Sequence, residues 1–364
     1  MIPLVSPILG SQEKEIISQI IDSGMIASGA YVTQFENECA GLWKSKYAVA
    51  TSNGTTALHA AMLAAGVKPG DEVLTTPLSF IATANSILYC GARPVFADID
   101  SENFNLSPEK TEAALKKNKR IRAVLLVHLY GTPCDMDAFM YLKNKYGFIL
   151  LEDCAQAHGA LYKGKAVGTF GRAGAFSFYA TKNMTTGEGG MVLCGNPSVE
   201  KQARCIINHG RKDHSTFGML GYNYRMTNLA AGIGLVQLKH LNDWNTARRN
   251  NAKFLNCNLQ DLSFLETPAI KQSTSPVFHQ YTLRVRHGKR AAFAGYLAKN
   301  GIGSGIHYPS VMYLQPSYRV LGYKKGLCPE AERAAREVIS IPVHPALSTE
   351  NLELIVRVIR KFKK

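Results

Sequence analysis

With 364 residues, 46% of them apolar, and no low-complexity or Gly/Ser-rich stretch, the chain has an ordinary globular composition and room for two domains. Its longest apolar runs, such as Ala123–Val127, are strand-sized, and Met1–Pro7 has no charged region leading into an apolar core, so neither a membrane span nor a signal peptide is expected and the chain reads as cytoplasmic. The formal charge of +15 suits either a nucleic-acid surface or an anionic substrate, but the basic runs Lys116–Arg122 and Arg360–Lys364 fall at helix or chain ends with no helix-turn-helix, zinc-finger or RNP motif, so nucleic acid is set aside.

From Tyr47 to Cys194 strand-like and helix-like segments alternate. Tyr47–Thr51 is a short apolar run, followed by helical composition from Thr56 to Ala65. Glu72–Thr76 is a strand stopped by Pro77, and a helix from Ile81 to Tyr89 runs to Gly91. Pro94–Asp98 is the next strand. Ser107 caps a helix over Pro108–Lys117, with proline at the first helical position. Ala123–His128 and Phe148–Asp153 are nearly continuous apolar strands, as expected when helices cover both faces. This rhythm predicts an α/β fold with a mostly parallel central sheet.

The rhythm changes after Met226. Thr227–Leu241 reads as a helix, with Trp244–Leu255 as its candidate continuation. A smaller α+β region follows, with a strand at His279–Val285 and helices at Lys289–Lys299, Pro329–Val338 and Thr349–Ile359. The expected division is a large domain over 1–245 and a small one over 246–364. The eight cysteines are scattered without a Cys-x-x-Cys pair, which predicts reduced thiols and neither a zinc site nor a disulfide framework.

Several strand ends carry chemistry. Thr51-Ser52-Asn53-Gly54-Thr55-Thr56, between strand and helix, suits an anion at a helix N-terminus, although simple capping gives the same residues. It is not a nucleotide P-loop, and Gly301–Gly305 does not complete a dinucleotide fingerprint. Phe80 follows a strand end, where an aromatic can stack on a flat ring or merely join the core. Asp153 ends a strand; a carboxylate there can hold a pyridine nitrogen protonated, or cap a helix over Cys154–His158. Gln156 suits contact with such a ring or with solvent, and His158 reads as a core histidine bonded to a backbone carbonyl. Ser177 precedes Lys182 by five residues. Lys182 itself ends an apolar run and enters a Thr/Gly-rich turn, where a lowered pKa would let its amine form a Schiff base.

Five ordered motifs, Thr51–Leu58, Leu151–Ala160, Phe176–Gly190, Gly221–Met226 and Ile306–Pro309, resemble those of the DegT/DnrJ/StrS family of sugar aminotransferases, over about Gly29 to Pro345. The resemblance implies the fold type I architecture of pyridoxal-phosphate-dependent transferases, with pyridoxal 5'-phosphate as cofactor alternating with pyridoxamine phosphate. Lys182 would hold the cofactor as a Schiff base and shuttle the proton, and Asp153 would pair with the pyridine nitrogen. Gln156 would lie near the ring hydroxyl, Phe80 would stack on the ring, and Gly54, Thr55 and Ser177 would bind the phosphate. Asn223 would reach that phosphate from the neighbouring subunit of a homodimer. Ser28, His307 and Tyr308 would lie near the substrate. The implied reaction moves an amino group from an amino acid, L-glutamate first, to a nucleotide-linked keto-sugar, with a 4-keto-6-deoxyhexose the leading class, for polysaccharide or glycan synthesis. Lysine at position 182, where one branch carries histidine, favours transamination over a sugar dehydratase. A cyclitol aminotransferase and a non-catalytic regulator on the same fold stay open.

Overall fold

Strands from the first 194 residues build the central sheet of this computed structural model, which describes residues 1–362. The last two lysines of the C-terminal basic run lie outside the described residues. In chain order the strands are β1 (Tyr47–Thr51), β2 (Glu72–Thr75), β3 (Arg93–Phe96), β4 (Ile121–Val127), β5 (Ile149–Asp153), the short hairpin β6 (Leu161–Tyr162) and β7 (Lys165–Ala166), β8 (Ala173–Ser177) and β9 (Gly190–Cys194). Seven of them form one sheet in the order β1-β9-β8-β5-β4-β2-β3. Pairing is parallel from β8 across to β3, and β9 alone runs against its neighbours β8 and β1. The fold is α/β with a mostly parallel sheet, as the alternation predicts.

Both faces of the sheet are covered, and the two-residue period of a strand sorts its side chains between them. Val49, Ala175 and Val192 face one apolar cluster, under the helices Gly54–Ala65 and Pro197–Ile207. Ala48, Ala50, Phe176, Met191 and Leu193 face the other, under the helices Ala30–Leu42 and Asn228–Leu259. The helix Gly54–Ala65 is rich in alanine because it lies close on the sheet, with Ala57, Ala60, Ala61 and Ala64 all buried. It begins two residues earlier than its composition suggests. Asn53 accepts a hydrogen bond from Thr56 N–H at 2.9 Å, which fixes the start, and Gly66 at φ +94° ends it.

The helix Asn228–Leu259 is a single element of 32 residues, started by the Thr227 side chain accepting from Ala230 N–H. The boundary expected near residue 245 falls inside it. Beyond it come β10 (Leu265–Glu266), β11 (Thr274–Ser275), β12 (Tyr281–Val285) and β13 (Val338–Ile341). The first, third and fourth form an antiparallel sheet, whereas β11 returns to pair with β6 of the hairpin. The strand β13 was not expected: the helix Pro329–Glu337 stops just before it, and Val338–Ile341 is too short to carry a period. Cys154–His158, weighed as a helix, is a pair of turns. All eight cysteines are free thiols. No helix of the described residues is long and apolar enough to cross a membrane.

Where β8 passes the loop after β7, backbone meets backbone. A Cβ on Gly174 would sit 2.4 Å from Gly168 Cα and 2.5 Å from its carbonyl oxygen. Neither can turn aside as a flexible side chain would. Gly174→Ala is expected to cost about 1–3 kcal/mol, read as a lower urea midpoint with an unchanged m-value.

Candidate active site

The carboxyl ends of β1, β2, β4, β5 and β8 open into one cavity of about 740 Å³, the position an open α/β sheet reserves for ligands. It is lined by Gly54, Thr55, Phe80, Asp153, Gln156, Ser177, Lys182, His307 and Tyr308, which the sequence had scattered over some 250 positions. Ser28 and Asn223 are not among them. Ser28 is exposed and lines a separate recess with Gly29, Arg204 and Arg225. Asn223 is exposed and bridges to Asn208, outside the cavity of its own chain.

At the end of β5 two neighbouring carboxylates point to opposite faces. Glu152 is fully buried and accepts from Gly168 N–H at 2.7 Å, Phe170 N–H at 2.8 Å and Gly171 N–H at 2.6 Å. His128 Nε2 donates to it at 3.0 Å, its tautomer set by Cys134 N–H, which donates to Nδ1. Burial alone would raise the Glu152 carboxyl, but His128 and the loop amides outweigh it and hold it below the ordinary glutamate value. His128, Glu152 and Cys154 stand close enough to suggest a metal site. Their bonding says otherwise: both imidazole nitrogens and both carboxylate oxygens are already engaged.

Asp153 faces the cavity. Its Oδ2 accepts from the Thr83 hydroxyl at 2.7 Å and its Oδ1 from Ala155 N–H at 3.1 Å. Burial raises its carboxyl, against the opposing pull of Thr83, Ala155 and the Lys182 charge. Because Thr83 donates to Asp153, the Ser79 hydroxyl 2.9 Å away must donate to Thr83. Nothing in the sequence marked Thr83, one threonine in an unremarkable helix.

Lys182 enters from the turn after β8. Its N–H is bound to Tyr179 O, and the Phe178 carbonyl accepts from Thr186 N–H and from the Thr185 hydroxyl, so the loop is stapled to the strand. Burial lowers its amine to about pKa 8, with the Asp153 charge opposing. A substantial fraction is then neutral, and nucleophilic, near physiological pH.

The start of the helix Gly54–Ala65 lies against Ser177. A Cβ on Gly54 would stand 2.5 Å from Ser177 Cβ and 2.8 Å from its hydroxyl. Glycine therefore lets the strand end and the helix N-terminus meet, and Gly54, Thr55 and Ser177 line the same end of the cavity, where a helix start offers free amides. Phe80 stands at the cavity mouth with 57% of its surface exposed, its ring centroid 6.2 Å from that of Tyr308. That is not the state of a core phenylalanine.

Gln156 joins the two parts of the chain. Its Oε1 accepts from Tyr130 N–H at 2.7 Å, and its Nε2 donates to the Tyr308 hydroxyl at 3.1 Å. The Tyr130 hydroxyl in turn donates to the His307 carbonyl. Tyr130 sits at φ +58°, a strained setting for an aromatic, and was missed because strain leaves no mark in a sequence. His158 is in the core, as expected, between Trp43, Phe176 and Phe178, but neither ring nitrogen forms a hydrogen bond. Burial drops it to about pKa 3. His279, also on the cavity wall, was read only as the first residue of a strand.

An amine, a buried carboxylate, a helix N-terminus and an exposed aromatic thus converge on one cavity. The DegT/DnrJ/EryC1/StrS aminotransferase family matches residues 7–360. Among relatives, a pleiotropic regulatory protein of Geobacillus stearothermophilus is 39% identical, over 95% of this chain and 93% of its own. GDP-perosamine synthase of Escherichia coli O157:H7 is 37% identical over 99% of this chain and 98% of its own. The solved structure of DesV from S. venezuelae superposes with a TM-score of 0.92 at 33% identity, covering 96% of this chain and 93% of the other. The chain belongs to the DegT/DnrJ/EryC1/StrS aminotransferase family and is a transaminase whose cofactor is pyridoxal phosphate.

Proposed function

We propose that the protein transfers an amino group from an amino acid, L-glutamate first, to the ketone of a nucleotide-linked sugar, with a 4-keto-6-deoxyhexose as the leading class. The product would be an amino sugar for a polysaccharide or glycan. The observation that carries the reading is half-buried Lys182, its amine lowered to about pKa 8, in one cavity with Asp153, Gly54 and Ser177. The relation to a GDP-perosamine synthase supports a nucleotide-linked acceptor, and a net charge of +15 suits a diphosphate.

The residues fit the cofactor part by part. Gly54, Thr55 and Ser177 would take its phosphate, Phe80 its ring face, Gln156 the neighbourhood of its ring hydroxyl and Asp153 its pyridine nitrogen. Asn223, exposed on its own chain, would reach the phosphate of a second copy in a homodimer. His307 and Tyr308 line the cavity on the substrate side, and Ser28 would serve the substrate from the recess beside it. When bound, pyridoxal phosphate supplies an electron sink for the charge left as a proton leaves the amino-acid α carbon. Asp153, kept dry and hydrogen-bonded, holds the ring nitrogen in its protonated form. Lys182 Nζ would take the proton from the amino-acid α carbon as a base and deliver it as an acid to the carbon that is the cofactor's aldehyde, and would run the same shift in reverse on the sugar side. A dehydratase reading asks for histidine at position 182, where this chain has lysine.

Wild type loaded with the cofactor is expected to have a visible absorbance band that disappears on adding glutamate without a sugar. Lys182→Ala should lack the band and lose about 10³-fold or more in turnover; wild type without the band sinks the reading. Since only the neutral amine reacts, cofactor uptake by the cofactor-free protein should quicken as pH rises through about 8 and then level off. Gly54→Ala should raise the Kd for pyridoxal phosphate about tenfold or more, with a smaller change for unphosphorylated pyridoxal. Equal losses for the two would remove the phosphate from the Gly54–Ser177 end of the cavity.

A further inference from the structure

The hydroxyl of Thr83 points its proton at an unusual partner. A threonine in a helix commonly turns its hydroxyl back to a carbonyl three or four residues earlier. Ser86, in the same helix (Ala82–Tyr89), does so, donating to the Thr83 carbonyl at 2.9 Å. Thr83 instead donates out of the helix, to Asp153 Oδ2 at 2.7 Å, 70 positions on. The Ser79 hydroxyl, 2.9 Å behind it, can then only donate forward, so Ser79, Thr83 and Asp153 form a relay that runs one way. All three residues are buried and all three line the cavity. The Thr83 backbone N–H meanwhile donates to the Phe80 carbonyl at 3.1 Å, so one residue steadies both the aromatic at the cavity mouth and the acid inside it.

The carboxylate at the end of this relay is short of donors. Its neighbour Glu152, below the sheet, takes four hydrogen bonds. Asp153 is buried too and takes two, from Thr83 and from Ala155 N–H at 3.1 Å. A carboxylate has room for about four, and the capacity left on Asp153 opens into the cavity. Lys182 and His128 favour its ionised form through charge alone, without a hydrogen bond. The two donors therefore matter more here than in a well-supplied network. Without the Thr83 hydroxyl a dry carboxyl would keep one donor, and its neutral form would gain. A neutral carboxyl can turn a hydrogen toward the cavity in place of a lone pair.

We propose that Thr83, backed by Ser79, is a positioning residue for Asp153: it holds the carboxylate as an acceptor aimed into the cavity, and so makes the site selective for a ring that presents a protonated nitrogen there. The inference rests on the transaminase reading above, in which Asp153 faces the pyridine nitrogen. Thr83 exchanges no atom in the reaction, and its whole effect passes through Asp153.

Two measurements test this. The first compares the binding, to cofactor-free protein, of pyridoxal phosphate and of its analogue with C–H in place of the ring nitrogen, which keeps the aldehyde, the phosphate and the ring hydroxyl. Wild type should bind pyridoxal phosphate about tenfold or more tightly than the analogue. Thr83→Val, which keeps the shape and loses the hydroxyl, should weaken pyridoxal phosphate about tenfold or more and the analogue by less than about threefold. Thr83→Ser, which restores the hydroxyl, should return both to near wild type, and Ser79→Ala should show the same selectivity with a smaller loss. The second measurement is the magnetic resonance of an isotopically labelled ring nitrogen in the loaded protein. Wild type should show a protonated ring, and Thr83→Val should move the signal toward the unprotonated position. Equal losses for the two ligands in Thr83→Val, or an unmoved nitrogen signal, make Thr83 a packing residue and overturn the proposal. A wild type that binds both ligands equally overturns it as well, by removing the Asp153 pairing. Failure of wild type to take up pyridoxal phosphate at all would overturn the transaminase reading, and this proposal with it.

Discussion

The geometry of the cavity depends on the burial of one carboxylate that does not face it. Glu152 takes four hydrogen bonds from His128 and from the loop between β7 and β8, and so pins the end of β5 to the start of β8. Because successive residues of a strand point to opposite faces, fixing Glu152 below the sheet fixes Asp153 above it. The same loop passes close to Gly174, and β8 then runs on to Ser177 and the lysine turn. Two strands that carry an acid and an amine are thereby held in register by a residue with no part in the chemistry. Removing a partner from such a network strands several buried donors at once, which costs more than any one of its bonds contributes.

Above the sheet the design is different. The lysine is kept reactive by dryness, and the groups around it are neutral or nearly so. His158, His279 and His307 are each pushed by burial toward the uncharged imidazole, and Lys182 pushes them further the same way. Asp153 is the opposing influence, since its charge favours the ammonium. The amine therefore sits between a desolvated wall and one carboxylate, a balance that places it near neutrality rather than at either extreme.

The sheet was legible because each strand is short, apolar and bounded by turn residues, and the helices between them carry ordinary caps. The residues on the cavity wall were legible where a motif held them together, as in Asp153 with Gln156 or Ser177 with Lys182. What was hidden depended on partners far away in sequence. Thr83 matters only because Asp153 is 70 positions on, and Glu152 only because a loop wraps it. His279 looks like a strand residue until the cavity that it lines is seen. The strand β13 needed its partner β12 before it could be recognised. Ser28 was placed by the family resemblance alone, and its own chain puts it in a neighbouring recess.

The first residues of the chain are also closed into the last part of the fold. Ile2 N–H donates to Gly301 O and Ile2 O accepts from Gly303 N–H, both at 2.8 Å, and His344 approaches the Pro3 carbonyl at 3.1 Å. During synthesis these leading residues must wait for some three hundred others before they find partners, and the loop they close is among the longest the chain offers. His307 and Tyr308 follow within a few residues of that closure. The cavity wall and the pairing of Ile2 thus both require residues 301–308, so a growing chain cannot complete the cavity around Lys182 before that segment has emerged.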